Sequence, residues 1–600
     1  MANFVLGVDP DANRRAAFFR DAAGRIDPLP GLTQRSVSSG DFQALWAAGP
    51  RAPVSAAGDD RGAAVLWGSA LHGDGSPVDL AGLTAAWADG DPTAAPFDGY
   101  YAAAVYRART GLILAADLIG MFPVFWWAGD GGLLAGSSPE LFRLHPAFRS
   151  CLDVEGLAAI LLTSYSVGGR TLFEGVRRLA PGHVLCAPRG AKPREDEQYR
   201  LPVSDRYYDL PFSAQVELLK EVVEDSVRRH VATDRPCTLS LSGGRDSRLL
   251  AGFLANQKNA VTALTFGESG DNEMHCASAV ARASGFDQRT LPLEMDPDGE
   301  YAERHAKWLH CSTDFGSLHH WGSAGRMGAL PSPLVTGYVM DSIVGGSHIG
   351  WAYDKSNRRM SFDAFFSRIN SYCIAEGTLR VLFRQRDARD LVENAKATIR
   401  EIYHAYSDIE SRRAWCFDIH HRQRLHVGNS PWLFSFATWP VQPAVDRRVL
   451  GVAGGMPAAA LAERRAQDEM LRRFFPRLAA LPLDRNNFDT EPLSPRLRYR
   501  MTQFIRQHTA PLQSLVPGSR NGRAERRFYH RLYDFNGRGW QAARRLAEPN
   551  REKVDSLFDR AALDAYLPPP DRALEVRDRV VDTSGRKMLV GLMLWARDNL

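Results

Sequence analysis

Residues 237–248 read Cys-Thr-Leu-Ser-Leu-Ser-Gly-Gly-Arg-Asp-Ser-Arg, and this stretch restricts the folds open to the chain more than any other. A short β-prone run, Thr238, Leu239 and Leu241, ends in Ser242-Gly-Gly-Arg-Asp-Ser247. Leu249, Leu250, Phe253 and Leu254 then follow at helical spacing. Two glycines allow a tight turn that brings several N–H groups to one point. The first turn of the next helix adds unpaired donors and a partial positive charge, so a strand, turn and helix of this kind are built to hold an anion. The pattern is not a Walker loop, because G-x-x-x-x-G-K-[ST] does not occur in the chain. A serine- and glycine-rich turn without a ligand is the plain alternative.

A chain of 600 residues exceeds one ordinary core, which predicts at least two domains; we place them at 1–205 and 206–600. Apolar content of 44% and charged content of 24% are those of an ordinary globular protein. The 74 basic and 69 acidic residues nearly cancel, leaving +5, so composition makes no general case for nucleic acid. Seven cysteines, at 151, 186, 237, 276, 311, 373 and 416, form no C-x-x-C pair, which favours reduced thiols in a cytoplasm. His275-Cys276, His310-Cys311 and His319-His320 lack the spacing of a zinc site. The N-terminal Met-Ala-Asn-Phe-Val-Leu-Gly has no basic start or apolar core of a signal peptide. The most apolar segment, 112–127, contains Asp117 and Pro123 and is too short to span a bilayer. It is expected to form paired strands, and the protein to be cytoplasmic with no membrane partner.

Short β-prone runs at 4–8, 63–67, 100–106, 112–116 and 124–127, divided by Gly, Pro and Asp, predict a layered sheet domain. The polar segment 192–209, with Pro193 and Pro202, predicts a linker. An amphipathic helix follows at 213–231. After the glycine turn come a strand at 261–267, Asp271-Asn-Glu273 and a helix through 277–283. Strands alternating with helices predict a parallel sheet that binds ligands at the carboxyl ends of its strands. Residues 358–413 read as helices of mixed charge, and 586–600 as an amphipathic terminal helix.

The Ser242–Ser247 loop resembles the pyrophosphate loop of ATP-pyrophosphatase enzymes, which cleave ATP between the α- and β-phosphates and adenylate a substrate. Upstream, Pro96-Phe-Asp-Gly-Tyr-Tyr, Asp117-Leu-Ile-Gly120 and Pro123 resemble the glutaminase domain of class B asparagine synthetases. Ser137-Ser-Pro-Glu-Leu141 and Thr171-Leu-Phe-Glu-Gly-Val-Arg-Arg-Leu-Ala-Pro-Gly-His183 are similar to the tail of that domain. The resemblance implies an α/β chain: an N-terminal αββα glutaminase-like layer structure, then an ATP-pyrophosphatase-type parallel-sheet domain. It implies nucleotide contacts at Leu241, Ser242, Gly243, Gly244, Asp246, Ser247, Phe266, Gly267 and Gly337, with ATP and Mg²⁺ as the small molecules.

Leu334-Val-Thr-Gly-Tyr-Val-Met-Asp-Ser-Ile-Val-Gly-Gly346 carries the third motif. Gly337, Asp341, Gly345 and Gly346 match the asparagine synthetase run G-x-x-x-D-E-x-x-G-G, with Ser342 in place of the glutamate. Asp246 and Asp341 are then the implied Mg²⁺ ligands, two carboxylates being what the ion accepts beside phosphates; a helix cap is the alternative for Asp341. The Thr-Gly-Tyr-x-x-Asp form is closer to β-lactam synthetases, where a Tyr–Glu pair deprotonates the attacking amine. Tyr338 with Glu376 would be that pair, although Glu376 equally suits a surface. A phenol of pKa about 10 needs a carboxylate to share its proton before it is a useful base at neutral pH. The families also carry a catalytic lysine, whose nearest counterpart, Asp484-Arg-Asn-Asn-Phe488, offers only Arg485, and arginine is not equivalent to lysine there. Pro443-Ala-Val-Asp446 is similar to the P-F-L-D run. Arginines at 496, 498, 500, 506, 520, 523, 526, 527 and 531 form either a basic surface or a docking site for an acidic peptide.

One departure bears on function. Glutaminases of this type attack with a cysteine at position 2 of the encoded chain, and here that residue is Ala2; a methyl group is no nucleophile. The expected enzyme is therefore an AMP-forming carbon–nitrogen ligase without glutaminase activity. Among relatives with that domain arrangement, the chain is most similar to lasso-peptide macrolactam synthetases. The implied partners are a precursor peptide and the protease and leader-binding protein that deliver it. A β-lactam synthetase-like enzyme, an ammonia-dependent asparagine synthetase and an inactive nucleotide- or peptide-binding scaffold are the alternatives.

Overall fold

The computed structural model describes residues 2–87, 97–130, 132–293, 295, 298–346, 361–384, 388–485, 490–495, 501 and 527–600. The N-terminal strands are β1 (Ala2–Val8), β2 (Thr33–Ser39), β3 (Phe42–Ala48), β4 (Val54–Asp59), β5 (Gly62–Leu71), β6 (Asp98–Arg107), β7 (Gly111–Ala116), β8 (Phe125–Gly129), β9 (Gly132–Gly136), β10 (Arg177–Arg178), β11 (His183–Pro188) and β12 (Arg194–Glu197). They form two six-stranded sheets, ordered β10-β8-β9-β1-β3-β2 and β12-β11-β7-β6-β5-β4. The sheets pack face to face through large apolar residues on alternate positions. Phe4 of β1 and Trp67 of β5 stack with ring centroids 4.0 Å apart.

Helices cover both outer faces, which completes the αββα order. On one side the helix Ala12–Ala23 buries Phe18, Phe19 and Ala22, and Asp11 caps it by accepting from the amides of Asn13 and Arg14. On the other, the helix Leu80–Ala86 closes a separate apolar cluster that includes Leu83, Trp87, Leu66 and Tyr101.

Two expectations are corrected here. Segment 112–127 supplies two strands that do not pair: β7 lies in one sheet and β8 in the other. Between them the buried Asp117 carboxylate accepts from the amides of Met121 (2.9 Å) and Phe122 (2.7 Å) and holds the crossing. Segment 192–209 is not all linker, because β12 pairs with β11, Leu185 opposite Glu195. Its polar side chains suit an edge strand as well as a loop.

The second half is built on a parallel sheet of β13 (Cys237–Ser240), β14 (Val261–Phe266), β15 (Asp287–Leu291), β16 (Leu334–Val335) and β17 (Pro440–Val441), in the order β15-β14-β13-β16-β17. The glycine-rich turn therefore leaves the central strand. Helices Phe212–His230, Arg245–Asn256 and Asn272–Ser284 lie near their expected positions. The terminal helix runs Val581–Asn599 and is not a one-faced surface helix: every residue from Met588 to Ala596 is buried. Phe173 of the first half packs on its Trp595, ring centroids 5.2 Å apart. Asp98 of β6 and Asp446 both bind Arg229, at 3.0 Å in the case of Asp98, so the two halves are also joined by a buried ion cluster. No helix among the described residues is long and apolar enough to cross a membrane.

Candidate active site at the carboxyl ends of the parallel strands

The loops after β13, β14 and β16 converge on one cavity of about 370 Å³. Leu241, Ser242, Gly244, Asp246, Ser247 and Phe266 line it from the first two strand ends. Gly337, Tyr338 and Asp341 line it from the third, and Arg485 from a distant loop.

The loop is tied before any ligand arrives. The Ser242 amide donates to Ser247 Oγ (3.2 Å), and the Gly244 amide to Ser242 Oγ (3.3 Å). Gly244 is the N-cap of the helix Arg245–Asn256 and offers no side-chain cap, so the open first turn faces the cavity as an anion site. Gly243 makes the turn at φ +76°, and a Cβ on it would lie 2.5 Å from Cys276 Cβ. Gly337 has no room either, with a virtual Cβ 2.9 Å from Asp246 Cβ. That close approach brings the third motif against the loop.

Asp246 and Asp341 face each other across Arg464. Its Nη1 donates to Asp246 Oδ2 at 2.9 Å and its Nη2 lies 3.7 Å from Asp341 Oδ2. Gln467 Nε2 donates to the other Asp246 oxygen at 2.6 Å. Burial raises the Asp246 pKa and the charge of Asp341 adds to it, with Arg464 opposing. For Arg464, burial disfavours the cation, but the two carboxylates outweigh it and hold the guanidinium protonated. Two carboxylates beside a phosphate-type loop are the kind of oxygen donor set that Mg²⁺ takes, carboxylate and phosphate together. Arg464 reaches this position from a left-handed turn, with Glu463 at φ +56° and itself at φ +63°. Such a conformation costs non-glycine residues about 1 kcal/mol or more each.

Three expected residues lie elsewhere or act differently. Glu376 heads the helix Glu376–Leu382, where Arg380 and Lys396 (3.0 Å) neutralise it, and it does not line the cavity with Tyr338. The Tyr–Glu pair is therefore corrected: packing turned that glutamate toward a neighbouring helix. Gly267, at φ +118°, donates its amide to Leu291 O (3.0 Å) and holds the β14–β15 edge, leaving the cavity wall to Phe266. Arg485 lines the cavity while donating to the carbonyls of Glu491 (3.2 Å) and Pro492 (3.4 Å). Residues 486–488 lie outside the described residues. So do seven arginines of the basic tract, at 496, 498, 500, 506, 520, 523 and 526. Of the other two, Arg527 is buried and binds Glu273 (3.2 Å) and Asp484 (3.5 Å), and half-exposed Arg531 binds Asp271 (2.7 Å).

The sequence reading missed His426. It lines the cavity, and its Nδ1 lies 3.0 Å from Oδ1 of half-buried Asp314. Burial pushes the Asp314 pKa up, but His426, then His305 and His310, hold it below its ordinary value. An imidazole on the cavity wall can take a proton from a substrate held there. The cavity's other histidines are buried His319 and half-buried His320; desolvation pushes both pKa values down, that of His320 to about 3. His426 and its neighbour Gln423 belong to a nine-residue π-helix, Ile419–Val427; such helices are rare and concentrate at functional sites. Gln423 Nε2 donates to Ser342 Oγ at 2.6 Å, so the serine next to Asp341 anchors the π-helix.

Comparison with known proteins adds the following. A family model for a glutamine amidotransferase domain matches residues 80–200, and one for asparagine synthase matches residues 218–311. The chain is 25% identical over 225 residues to asparagine synthetase [glutamine-hydrolyzing] 3 of Bacillus subtilis, covering 37% of this chain and 34% of that protein. It is 27% identical over 226 residues to the amidase chyE of Penicillium rubens, covering 35% and 30%. A putative asparagine synthetase of Mycobacterium bovis is 30% identical over 204 residues, covering 31% and 30%. The matched part thus spans about a third of each relative's length.

Proposed function

Since the chain belongs to the asparagine synthetase superfamily, we propose that it is an ATP-dependent, AMP-forming ligase whose amine comes from its own substrate, a leader-cleaved peptide that it closes into a lasso-type macrolactam. The observation that carries the ligase chemistry is the Asp246–Arg464–Asp341 cluster beside the glycine-rich loop. β1 contains no cysteine along its length, Ala-Asn-Phe-Val-Leu-Gly-Val, which favours an amine taken from the substrate over ammonia made from glutamine.

The loop amides and the first turn of the helix Arg245–Asn256 receive the pyrophosphate end of ATP. Asp246 and Asp341 would hold Mg²⁺, which supplies charge neutralisation at the phosphates. Phe266, stacked on Phe434 with ring centroids 5.8 Å apart, gives a flat wall for the base. A substrate carboxylate attacks the α-phosphorus and pyrophosphate leaves; the amine then attacks the acyl carbon and AMP leaves. His426, braced by Asp314, takes the amine's proton, with Tyr338 in the same cavity. An α-amine of pKa about 8 is partly neutral at pH 7, so positioning the two ends of the peptide is the larger demand. A protease and a leader-binding protein would supply that peptide.

The second reading, a small-molecule β-lactam-type ligase, draws on Tyr338 standing in Thr336-Gly-Tyr-x-x-Asp341. The test is pyrophosphate release with candidate substrates. Release that needs a cleaved peptide, with loss of one water mass from it, supports the proposal. Release with aspartate and ammonia, or ammonia formation from glutamine, contradicts it.

A further inference from the structure

A second cavity, of about 330 Å³, lies where the two halves of the chain meet. It shares no lining residue with the first among the described residues. Arg178 enters it from β10, and Arg424, His420 and Tyr406 from the other half. The π-helix stands between the two cavities: Gln423 and His426 face one, while His420 and Arg424 face the other.

Arg178 and Arg424 are each 4% exposed, and their hydrogen bonds go to main-chain carbonyls. Arg178 Nη2 and Arg424 Nε converge on the same oxygen, Gly120 O, at 3.2 and 3.0 Å, and Arg424 Nη2 binds Leu179 O. Arg178 Nε and His420 Nδ1 are buried without a hydrogen-bond partner among the described residues. Burial, then the charge of Arg424, pulls the Arg178 pKa down, while Asp117 acts on both arginines in the opposite sense. Glu195 offsets Arg424 further. His420 and His421 are held neutral by burial. Buried guanidinium groups hydrogen-bonded to carbonyls alone are costly, even with Arg178 over the Phe125 ring at 5.3 Å, and an anion is the stronger partner. Asp117 and Glu195 oppose the two charges without hydrogen-bonding either guanidinium, and the lining pair Arg200–Glu197 (2.7 Å) cancels itself, so the place for a directly bonded anion is left to a ligand. The remaining wall includes Ile402, Ala405 and Leu425, which suits an apolar body.

We propose that this interdomain cavity binds a small organic monocarboxylate, its anion on Arg178 and Arg424 and its apolar part against Ile402, Ala405 and Leu425. The site is separate from the ligase site and does not depend on which substrate that site takes.

The experiment is calorimetric titration of the full chain with N-acetylphenylalanine and with its neutral amide, each also in saturating Mg·ATP. The carboxylate should bind with Kd of about 1 mM or tighter, and the amide at least about tenfold more weakly. Mg·ATP should not displace it, and Asp246→Asn should bind it normally. Arg178→Met and Arg424→Met should each weaken it about tenfold or more. Equal binding of acid and amide, no binding of the acid, displacement by Mg·ATP, or full affinity in folded Arg178→Met overturns the proposal. Should the arginine variants fail to fold, a diazirine analogue of the carboxylate on the unaltered protein decides. Labelling within 166–201 or 402–425 supports the site, and labelling confined to segments outside both overturns it.

Discussion

The guanidinium of Arg464 donates to the carboxylate of Asp246 at 2.9 Å, from a position 218 residues further along the chain. With Asp341 at 3.7 Å on its other side, it holds two like charges together in the place suited to a divalent cation.

Arg464→Met should leave those carboxylates facing each other and cost about 3 kcal/mol of stability in the absence of Mg²⁺. Added Mg²⁺ should recover most of the loss through the same two groups. Thermal unfolding with and without the ion checks this; equal destabilisation in both conditions contradicts the bridging role.

Gly243 and Gly190 share φ +76°, but only Gly243 is crowded: its virtual Cβ meets Cys276 Cβ at 2.5 Å, whereas nothing lies within 4 Å of that of Gly190. Gly190→Ala should cost about 1 kcal/mol, from backbone conformation alone. Gly243→Ala should cost more and should lose nucleotide binding, measured by titration with ATP. Similar behaviour of the two variants would show that the loop tolerates displacement.

His426→Gln should slow amide formation about 100-fold, the usual scale for a lost general base, while ATP–pyrophosphate exchange continues. Loss of exchange as well would move His426 from the amine step to nucleotide binding.

Stability should fall in acid. His305 and His310 are buried and His320 half-buried, and desolvation pushes their pKa values down to about 4, about 3 and about 3. A depressed folded-state pKa favours the native state above the unfolded value of about 6.5. That contribution is lost as pH falls from there toward 3–4. Proton uptake on unfolding at pH 5, read from denaturant midpoints across pH, tests it. His310→Leu should flatten the slope, and a slope unchanged by that substitution speaks against a neutral His310.

The parts legible in the sequence are those whose residue types admit one geometry. Ser242 to Ser247 specify a turn and a helix start, and Gly337 and Asp341 mark a strand end that must pass close to it. Local pattern could not show Arg464, because two non-glycine residues in left-handed conformation give no turn signature. Glu376 went astray for a related reason: spacing along a helix does not reveal which neighbour its face meets, and Lys396 claimed it. His426 carried no motif, its significance arising from Asp314 and from a π-helix register that a 3.6-residue period conceals. The strands at 112–127 were visible, but their assignment to different sheets depends on the turn at Asp117.

The central claim is metal-assisted adenylation at Asp246 and Asp341. Its most direct measurement is Mg²⁺-dependent exchange of labelled pyrophosphate into ATP in the presence of a leader-cleaved peptide, comparing the unaltered chain with Asp246→Asn and Asp341→Asn. The account predicts exchange by the unaltered chain and a loss of at least about 100-fold in each variant. Exchange that persists in either folded variant would contradict it.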